Sequence, residues 1–517
     1  MKLRSVQWIA PLLLAIHLPL FVFSTNIHTT VGREIYAAGG IALLVAGLSM
    51  VCAFLMTRDR SRAVCLAAGV VAWSFWYRLF AYALTASIGI ETIAIGAASV
   101  ALVTWTSLWV LYAVTVTRGR SMERLASAWV LASIALIAQP LATLGSYSAQ
   151  RPTPQAVDTP GVPLQAPAVP PDIVHLVFDR YASADVLRDY YGFDNTPFTE
   201  KLRERGFLVA QRSNANYFRT GLSLAATLNL THLDERFASL AEASDWRPVY
   251  RLLGEHRVWR SLKPLGYEYV QLGSWWEATR HNPHAAENRS YVRIPYFVHW
   301  LYGNTPLSAM GVSLGGVLDI REEQWHRIHR QMHDLERIRA GTRPRFVLAH
   351  FLLPHDPYVF GPDGDLLPAD VTRARPLTEN YVNQVRFANR AILRLVDAML
   401  ADTTRGRPII IVQSDEGPYP RRYEANTGGF DWRTATRDEL REKFGILNAM
   451  YLPGGIPAAF HDAITPVNTY RLIFNAYFGA RLPMLADRSL VSVGDRTPYR
   501  FIDVTDILRA PGRAGPK

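Results

Sequence analysis

Hydrophobic positions are unevenly distributed along the chain. Before residue 145 they form long blocks. Trp8 to Ser24, Ile35 to Thr57 and Ile93 to Thr117 carry no charged side chain and approach the ~20 residues that an apolar helix needs to cross a bilayer. Leu125 to about Leu144 is also uncharged, and Ala63 to about Ala86 contains only Arg78, near enough to one end for its guanidinium to reach the interface. The pattern predicts five transmembrane helices within residues 1–144. Basic residues cluster at Lys2 and Arg4, at Arg58, Arg60 and Arg62, and at Arg118, Arg120 and Arg124, whereas the intervening loops hold only Arg33 with Glu34, and Glu91. By the positive-inside rule the N-terminus is cytoplasmic, and five crossings put the C-terminal part outside. The first block lacks a small-residue cleavage site and four more follow it, so it reads as a span and not as a cleaved leader.

Residues 145–171 form a boundary, with seven prolines between 151 and 171, a composition that favours an extended spacer. Beyond it, in residues 172–517, the apolar runs shorten and become β-branched: Asp172 to Phe178, Tyr267 to Leu272, Arg345 to Phe351, Pro408 to Gln413 and Ile446 to Leu452. Helical stretches, Asn380 to Leu400 and Thr436 to Lys443, precede the last two. This alternation predicts an α/β domain with a largely parallel sheet and helices on both faces, in which ligands bind at the carboxyl ends of the strands.

Composition narrows the function classes. Hydrophobic residues make up 49% and charged residues 19%, which excludes a disordered chain. The net charge of +11 is spread without a Lys/Arg-rich run, so no nucleic-acid partner is expected. Much of it is a topology signal: ten Lys/Arg against four Asp/Glu precede residue 145. Both cysteines, Cys52 and Cys65, fall in or beside membrane blocks, leaving the external domain without a disulfide or a thiol nucleophile.

The strand ends carry the candidate chemistry. The first strand runs into Asp179, another into His350 and then Pro354-His355-Asp356-Pro357-Tyr358, and a third into Ser414-Asp415-Glu416-Gly417. One such acid is explained equally well as a cap or turn residue. Asp179, Asp415 and Glu416 delivered to one edge would repel one another unless a hard divalent cation joined them. Thr220, in Asn216 to Ser223, opens a helical run; read blandly it is an N-cap, and beside a metal its hydroxyl becomes a nucleophile toward phosphorus.

These motifs resemble the membrane-anchored, sulfatase-like phosphotransferase branch of the alkaline-phosphatase superfamily, which includes lipoteichoic acid synthase and the phosphoethanolamine transferases. The resemblance implies a five-helix membrane region followed by an extracytoplasmic alkaline-phosphatase-like domain at a bacterial inner membrane. It implies metal ligation by Asp179, Thr220, Asp415 and the residue after it, and an anion-contacting role for His355. That last ligand, a histidine in the family, is Glu416 here; an all-oxygen set favours manganese or magnesium over zinc. A formylglycine sulfatase is excluded, because the external domain has no cysteine and no serine followed two places on by proline.

Lower-weight candidates for substrate binding are Arg219, beside Thr220, and Trp275, Arg280 and His281, where aromatic and cationic groups suit a glycan or a lipid headgroup. His175, inside the first strand, reads as a core histidine. Two readings follow. One is a membrane enzyme that transfers or hydrolyses a phospho-substituent of a phospholipid or envelope glycan through a Thr220 adduct. The other is a non-catalytic binding or scaffold protein of the envelope, which Glu416 favours. Neither reading fixes an oligomeric state.

Overall fold

A computed structural model describes residues 3–27, 34–87, 95–149, 160–312, 316–338, 341–427, 429–494 and 497–510. The chain forms two compact units, Met1–Gln155 with Arg293–Ile320, and Ala156–Val292 with Arg321–Lys517.

The first unit is helical. Ile35–Thr57, Ser99–Arg118 and Glu123–Ala149 are long and apolar enough to cross a membrane. Ile9–Thr25 is apolar but has only 17 residues. The span expected over 63–86 is two helices, Arg60–Phe75 and Tyr77–Ser87, bent by 63° at Trp76. Arg78 stands just past the break, its N–H donating to the Asn304 carbonyl (3.4 Å) and its guanidinium to the Tyr82 hydroxyl (3.2 Å). A polar group with such partners interrupts an otherwise continuous helix. By length and composition the described residues thus hold three spans, or four with the bent pair counted as one, and not a demonstrated five.

Two boundaries also differ from expectation. Residues 145–149 continue the helix Glu123–Ala149 and are not linker, while 150–159 lie outside the described residues. Residues 293–320, assigned above to the external domain, belong to the first unit. Phe297, Val298 and Leu301 share a core with Leu14, Ala38, Ala42, Ala46, Val71 and Phe75. Such an aromatic insert buries apolar area as well against membrane helices as within a globular domain, and periodicity does not distinguish the two.

The second unit is built on a seven-stranded sheet. Its strands are β1 (Ile173–Phe178), β2 (Phe207–Val209), β3 (Glu268–Gly273), β4 (Glu287–Ser290), β5 (Arg345–Phe351), β6 (Ile409–Gln413) and β7 (Asn448–Tyr451), in the order β2-β7-β6-β1-β5-β3-β4. β4, β3, β5, β1 and β6 pair in parallel, and β7 and β2 add antiparallel at one edge. The central strands are buried on both faces, hence their unbroken apolar runs. Alternate residues serve opposite cores: Ile173, Val177, Phe346, Leu348, Ile409 and Ile411 pack in one, and Val174, Leu176, Val347, Ala349, Ile410 and Val412 in the other. His175 is fully buried against Tyr470 (Nδ1 to the hydroxyl, 3.0 Å), and burial pushes its imidazole down to about 3, as a core histidine requires.

The site follows from this register. β1 lies between β5 and β6, with Val177 opposite both His350 and Gln413. Whatever follows each of the three strands therefore arrives at the same point on the carboxyl edge.

Candidate metal centre and active site

Asp179 follows β1 directly, its N–H donating to the Phe351 carbonyl (2.9 Å). The next residue, Arg180, has φ of 63°, an uncommon left-handed conformation for a side chain of this size. It is held there from outside: the Tyr381 hydroxyl donates to the Arg180 carbonyl (2.7 Å) and the Tyr181 N–H donates to Ser414 Oγ (2.9 Å). The turn leaves Asp179 buried and brings the Arg180 guanidinium to Asp356 at 2.6 Å.

His350, at the end of β5, is oriented from the far side. Its Nδ1 is 2.8 Å from Thr279 Oγ1, which is 2.9 Å from Ser274 Oγ, and its Nε2 is 3.7 Å from Asp179 Oδ2. Asp179, His350 and Asp415 each contribute one ligand atom to a buried group lying within 4.8 Å of one another. His350 Nε2, Asp179 Oδ1 and both Asp415 oxygens are buried without a well-formed hydrogen bond. Unsatisfied polar atoms in such a place cost about 1–3 kcal/mol each, more when charged. A divalent cation at their centre would satisfy all of them, and nitrogen with carboxylate oxygen is a donor set that fits. The second bond of His350, to Thr279, is the outer-sphere support that metal-bound imidazoles commonly have.

The electrostatics agree. Burial pushes Asp179 up, but His355, His350 and Arg180 outweigh it and hold its carboxyl at about 2. Asp415 is driven well above the usual carboxylate range by burial, then by Asp179 and Glu416, while the Thr220 hydroxyl and the backbone oppose the shift. Two carboxylates so close cannot both stay charged without a cation.

Thr220 is the first residue of the helix Thr220–Asn229, one position inside its Arg219 cap, and half-buried. It is therefore not the cap residue of the bland reading. Its interaction with Asp415 sets its hydroxyl beside the carboxylate group at a positive helix terminus. His355 stands 3.3 Å from Asp356 Oδ1 and is close enough to Asp179 to stabilise its charge.

Glu416 is not a member of the cluster. Its Oε1 pairs with Lys443 Nζ at 2.9 Å and with Arg180 Nε at 3.6 Å. Lys443, fully buried, also donates to the Gly417 carbonyl (2.9 Å) and lies 3.3 Å from the Tyr419 ring centroid. Burial pushes its ammonium down to about 7 although Glu416 pulls the other way. Among the described residues the buried group that can hold a metal is thus Asp179, His350 and Asp415, without Glu416 and with an imidazole nitrogen that the expected all-oxygen set of Asp179, Thr220, Asp415 and Glu416 lacked; Thr220 lies beside it. The imidazole nitrogen removes the basis for preferring manganese or magnesium over zinc.

Lys443→Met would leave Glu416 buried with its nearest cation gone, and thermal unfolding should show a loss of about 3–5 kcal/mol. Lys443→Met with Glu416→Leu should recover most of it; a double variant no better than the single would show that the pair is not what holds this region.

The lower-weight candidates divide. Arg219 donates to Tyr419 Oη (2.7 Å) and Tyr423 Oη (2.9 Å) and rests against Phe218, so its guanidinium is held in an aromatic cage. Arg280 pairs with Glu277 at 3.0 Å and reaches the Trp275 carbonyl at 3.5 Å, and His281 is exposed. Trp275, Arg280 and His281 are not brought into the cluster. Their neighbours are: Trp276 packs edge-on to His350 with centroids 6.4 Å apart, and Thr279 orients that ring. His350, Thr279, Arg180 and Lys443 were not singled out as site residues from sequence. His350 had a visible signal, a histidine on the strand that leads to the His355 loop; Lys443 had none.

No protein-family model matches the chain, and no curated protein matches it. Several solved structures do. The C-terminal periplasmic domain of EptC from Escherichia coli, in complex with Zn, matches at 10% identity with a TM-score of 0.45, covering 67% of this chain and 96% of that one. The C-terminal periplasmic domain of phosphoethanolamine transferase EptC from Campylobacter jejuni matches at 10% identity and 0.36, covering 60% and 90%. The integral membrane lipooligosaccharide phosphoethanolamine transferase A from Neisseria meningitidis matches at 13% and 0.35, covering 86% and 88%. A member of the alkaline phosphatase superfamily from Vibrio parahaemolyticus is a further neighbour, at 15% and 0.39, covering 66% and 78%.

Proposed function

We propose that the chain is a membrane-anchored, metal-dependent phosphotransferase or phosphodiesterase of alkaline-phosphatase type, with a phospholipid or envelope glycan as substrate and Thr220 as nucleophile. The observation that carries this reading is the convergence of unsatisfied buried atoms of Asp179, His350 and Asp415 beside the Thr220 hydroxyl. Asp179, His350 and Asp415 would hold the metal. A divalent cation bound there supplies a Lewis acid that polarises a phosphoryl oxygen and lowers the pKa of a nearby hydroxyl.

The chain's own residues do the rest. Thr220 gives up its hydroxyl proton to solvent as Oγ1 attacks phosphorus, the bond from phosphorus to the leaving oxygen breaks, and that oxygen takes a proton from His355. Asp415 lies beside the Thr220 hydroxyl and orients it. An acceptor hydroxyl, or water, then attacks phosphorus and frees Thr220, so donor and acceptor react in ping-pong order. Five spans, with the N-terminus cytoplasmic and the second unit outside, would tether the second unit to the membrane that holds a lipid donor.

The Glu416–Lys443 pair favours a second reading, a non-catalytic envelope protein, because the position that the resemblance assigns to a ligand is tied to an internal ammonium. Chelation separates the two. On the first reading, stripping divalent metal from the full-length protein abolishes phosphodiester turnover and manganese or zinc restores it. Turnover unaffected by chelation contradicts metal dependence, and no turnover with any metal supports the second reading.

A further inference from the structure

Residues 294–318 contain no Asp, Glu, Lys or Arg, the longest such stretch in residues 172–517. Its length suits a membrane span and its composition suits a buried core equally, so the packing decides. The stretch does not cross. It breaks into two short helices, Tyr296–Gly303 and Pro306–Ala309, and eight residues at about 1.5 Å each cover roughly 12 Å of a ~30 Å hydrocarbon core. Arg293 and Asp319 bound it, and at both ends the chain continues into the second unit.

Its packing partners are membrane helices. Tyr296–Gly303 lies on Glu34–Thr57, and Pro306–Ala309 lies on Arg60–Phe75 and Ile95–Arg118. The Asn304 carbonyl accepts from the Arg78 N–H at the break between Arg60–Phe75 and Tyr77–Ser87. By the positive-inside rule Arg60 and Arg62 mark the cytoplasmic end of this broken span. The 16 residues of its first half rise about 24 Å before the break. The break therefore falls a few ångströms short of the outer boundary of the ~30 Å core. Backbone groups freed by a bend at that depth must find partners within the protein. Asn304 supplies one, which sets this part of the stretch below the headgroups.

The remaining face is apolar. Leu307, Met310 and Val317 are exposed. So are Leu44, Leu48 and Leu111 on the helices that the stretch packs against, and a span of that composition has lipid as its neighbour. Exposed Tyr296 and half-buried Trp300 are the residue types that concentrate at the boundary between acyl chains and headgroups.

We infer that residues 294–318 are a monotopic element, inserted into the outer leaflet, with the bilayer as the partner of Leu307, Met310 and Val317. Both of its ends then tie the second unit to the membrane, in addition to the linker. The inference does not depend on the chemistry proposed for the metal centre.

The test uses the full-length protein with the exposed native thiol removed by Cys52→Ser and the buried Cys65 kept. Single cysteines, Met310→Cys or Val317→Cys, carry a polarity-sensitive nitrobenzoxadiazole label in nanodiscs of phosphatidylethanolamine and phosphatidylglycerol. Leu48→Cys, on a span, and Ala401→Cys, exposed on the second unit, are the references. All four positions are exposed, so the label is accepted without repacking, and an unchanged melting temperature verifies it. Labels at 310 and 317 are expected to emit to the blue of the label at 401 and to be quenched by doxyl groups on the acyl chains as the label at 48 is. Quenching by aqueous iodide should be several-fold weaker than at 401. Iodide quenching equal to that at 401 overturns the inference. Protection from both quenchers overturns it too, because the face is then covered by protein and not by lipid.

Discussion

Asp415→Asn weakens divalent-metal binding to the full-length protein by at least on the order of 100-fold, because changes in residues that merely support ligands already reach 10–100-fold, while Glu416→Gln leaves it within about threefold. His350→Ala behaves like Asp415→Asn. The reasoning is geometric. The Asp415 oxygens and His350 Nε2 are buried, unsatisfied and aimed into one group with Asp179, whereas Glu416 lies outside that group and its Oε1 meets Lys443 at 2.9 Å, leaving only Oε2 without a partner. A second consequence separates ligand loss from misfolding. Without metal, Asp179 and Asp415 are two buried acids that disfavour each other's charge, so metal-free Asp415→Asn should melt at a higher temperature than metal-free wild type, and the order should reverse at saturating metal. Competition with a fluorescent chelator measures the affinities. Equal losses in Glu416→Gln and Asp415→Asn would restore Glu416 to the ligand set.

Thr220→Ala lowers kcat for phosphodiester substrates by on the order of 10⁴ or more, the scale on which loss of a nucleophile is felt, with little change in KM. The variant is expected to fold. Thr220 is the first helical residue and half-buried, and alanine is accepted there at small cost. Thr220→Ser, which keeps an oxygen in the same place, should retain a measurable fraction of the rate. A merely structural threonine would give neither the size of the first effect nor the rescue by the second. Steady-state kinetics on both variants decide it.

How much of this was legible beforehand depended on whether the signal was local. β1, β3, β5, β6 and β7 stand within a residue or two of the apolar runs that predicted them, because a strand buried on both faces must be apolar throughout. Asp179 and Asp415 were found for the same reason: they end those runs. What escaped was set by long-range packing. Lys443 sits at the end of a short helix, Arg437–Phe444, whose charged sequence reads as a solvated surface, and only the fold turns its ammonium into the core beneath Tyr419. His350 was visible but passed over, since a histidine within a buried strand is ordinarily a core residue, as His175 is. The two differ in what they face: His175 meets a tyrosine hydroxyl, and His350 meets an acid on one side and a threonine on the other. The transmembrane count missed the break at Trp76, where hydropathy continues although the helix axis turns. Residues 293–320 joined the membrane unit for want of any local mark of which core they serve.

The central claim is that Thr220 carries the transferred group, and peptide mass spectrometry of the full-length protein, quenched during turnover of a phosphodiester lipid, tests it most directly. The account predicts a phospho-substituent on the peptide containing Thr220, present in the wild type and absent in Thr220→Ala. Turnover with no adduct on that peptide, or with an adduct on another residue, would contradict it.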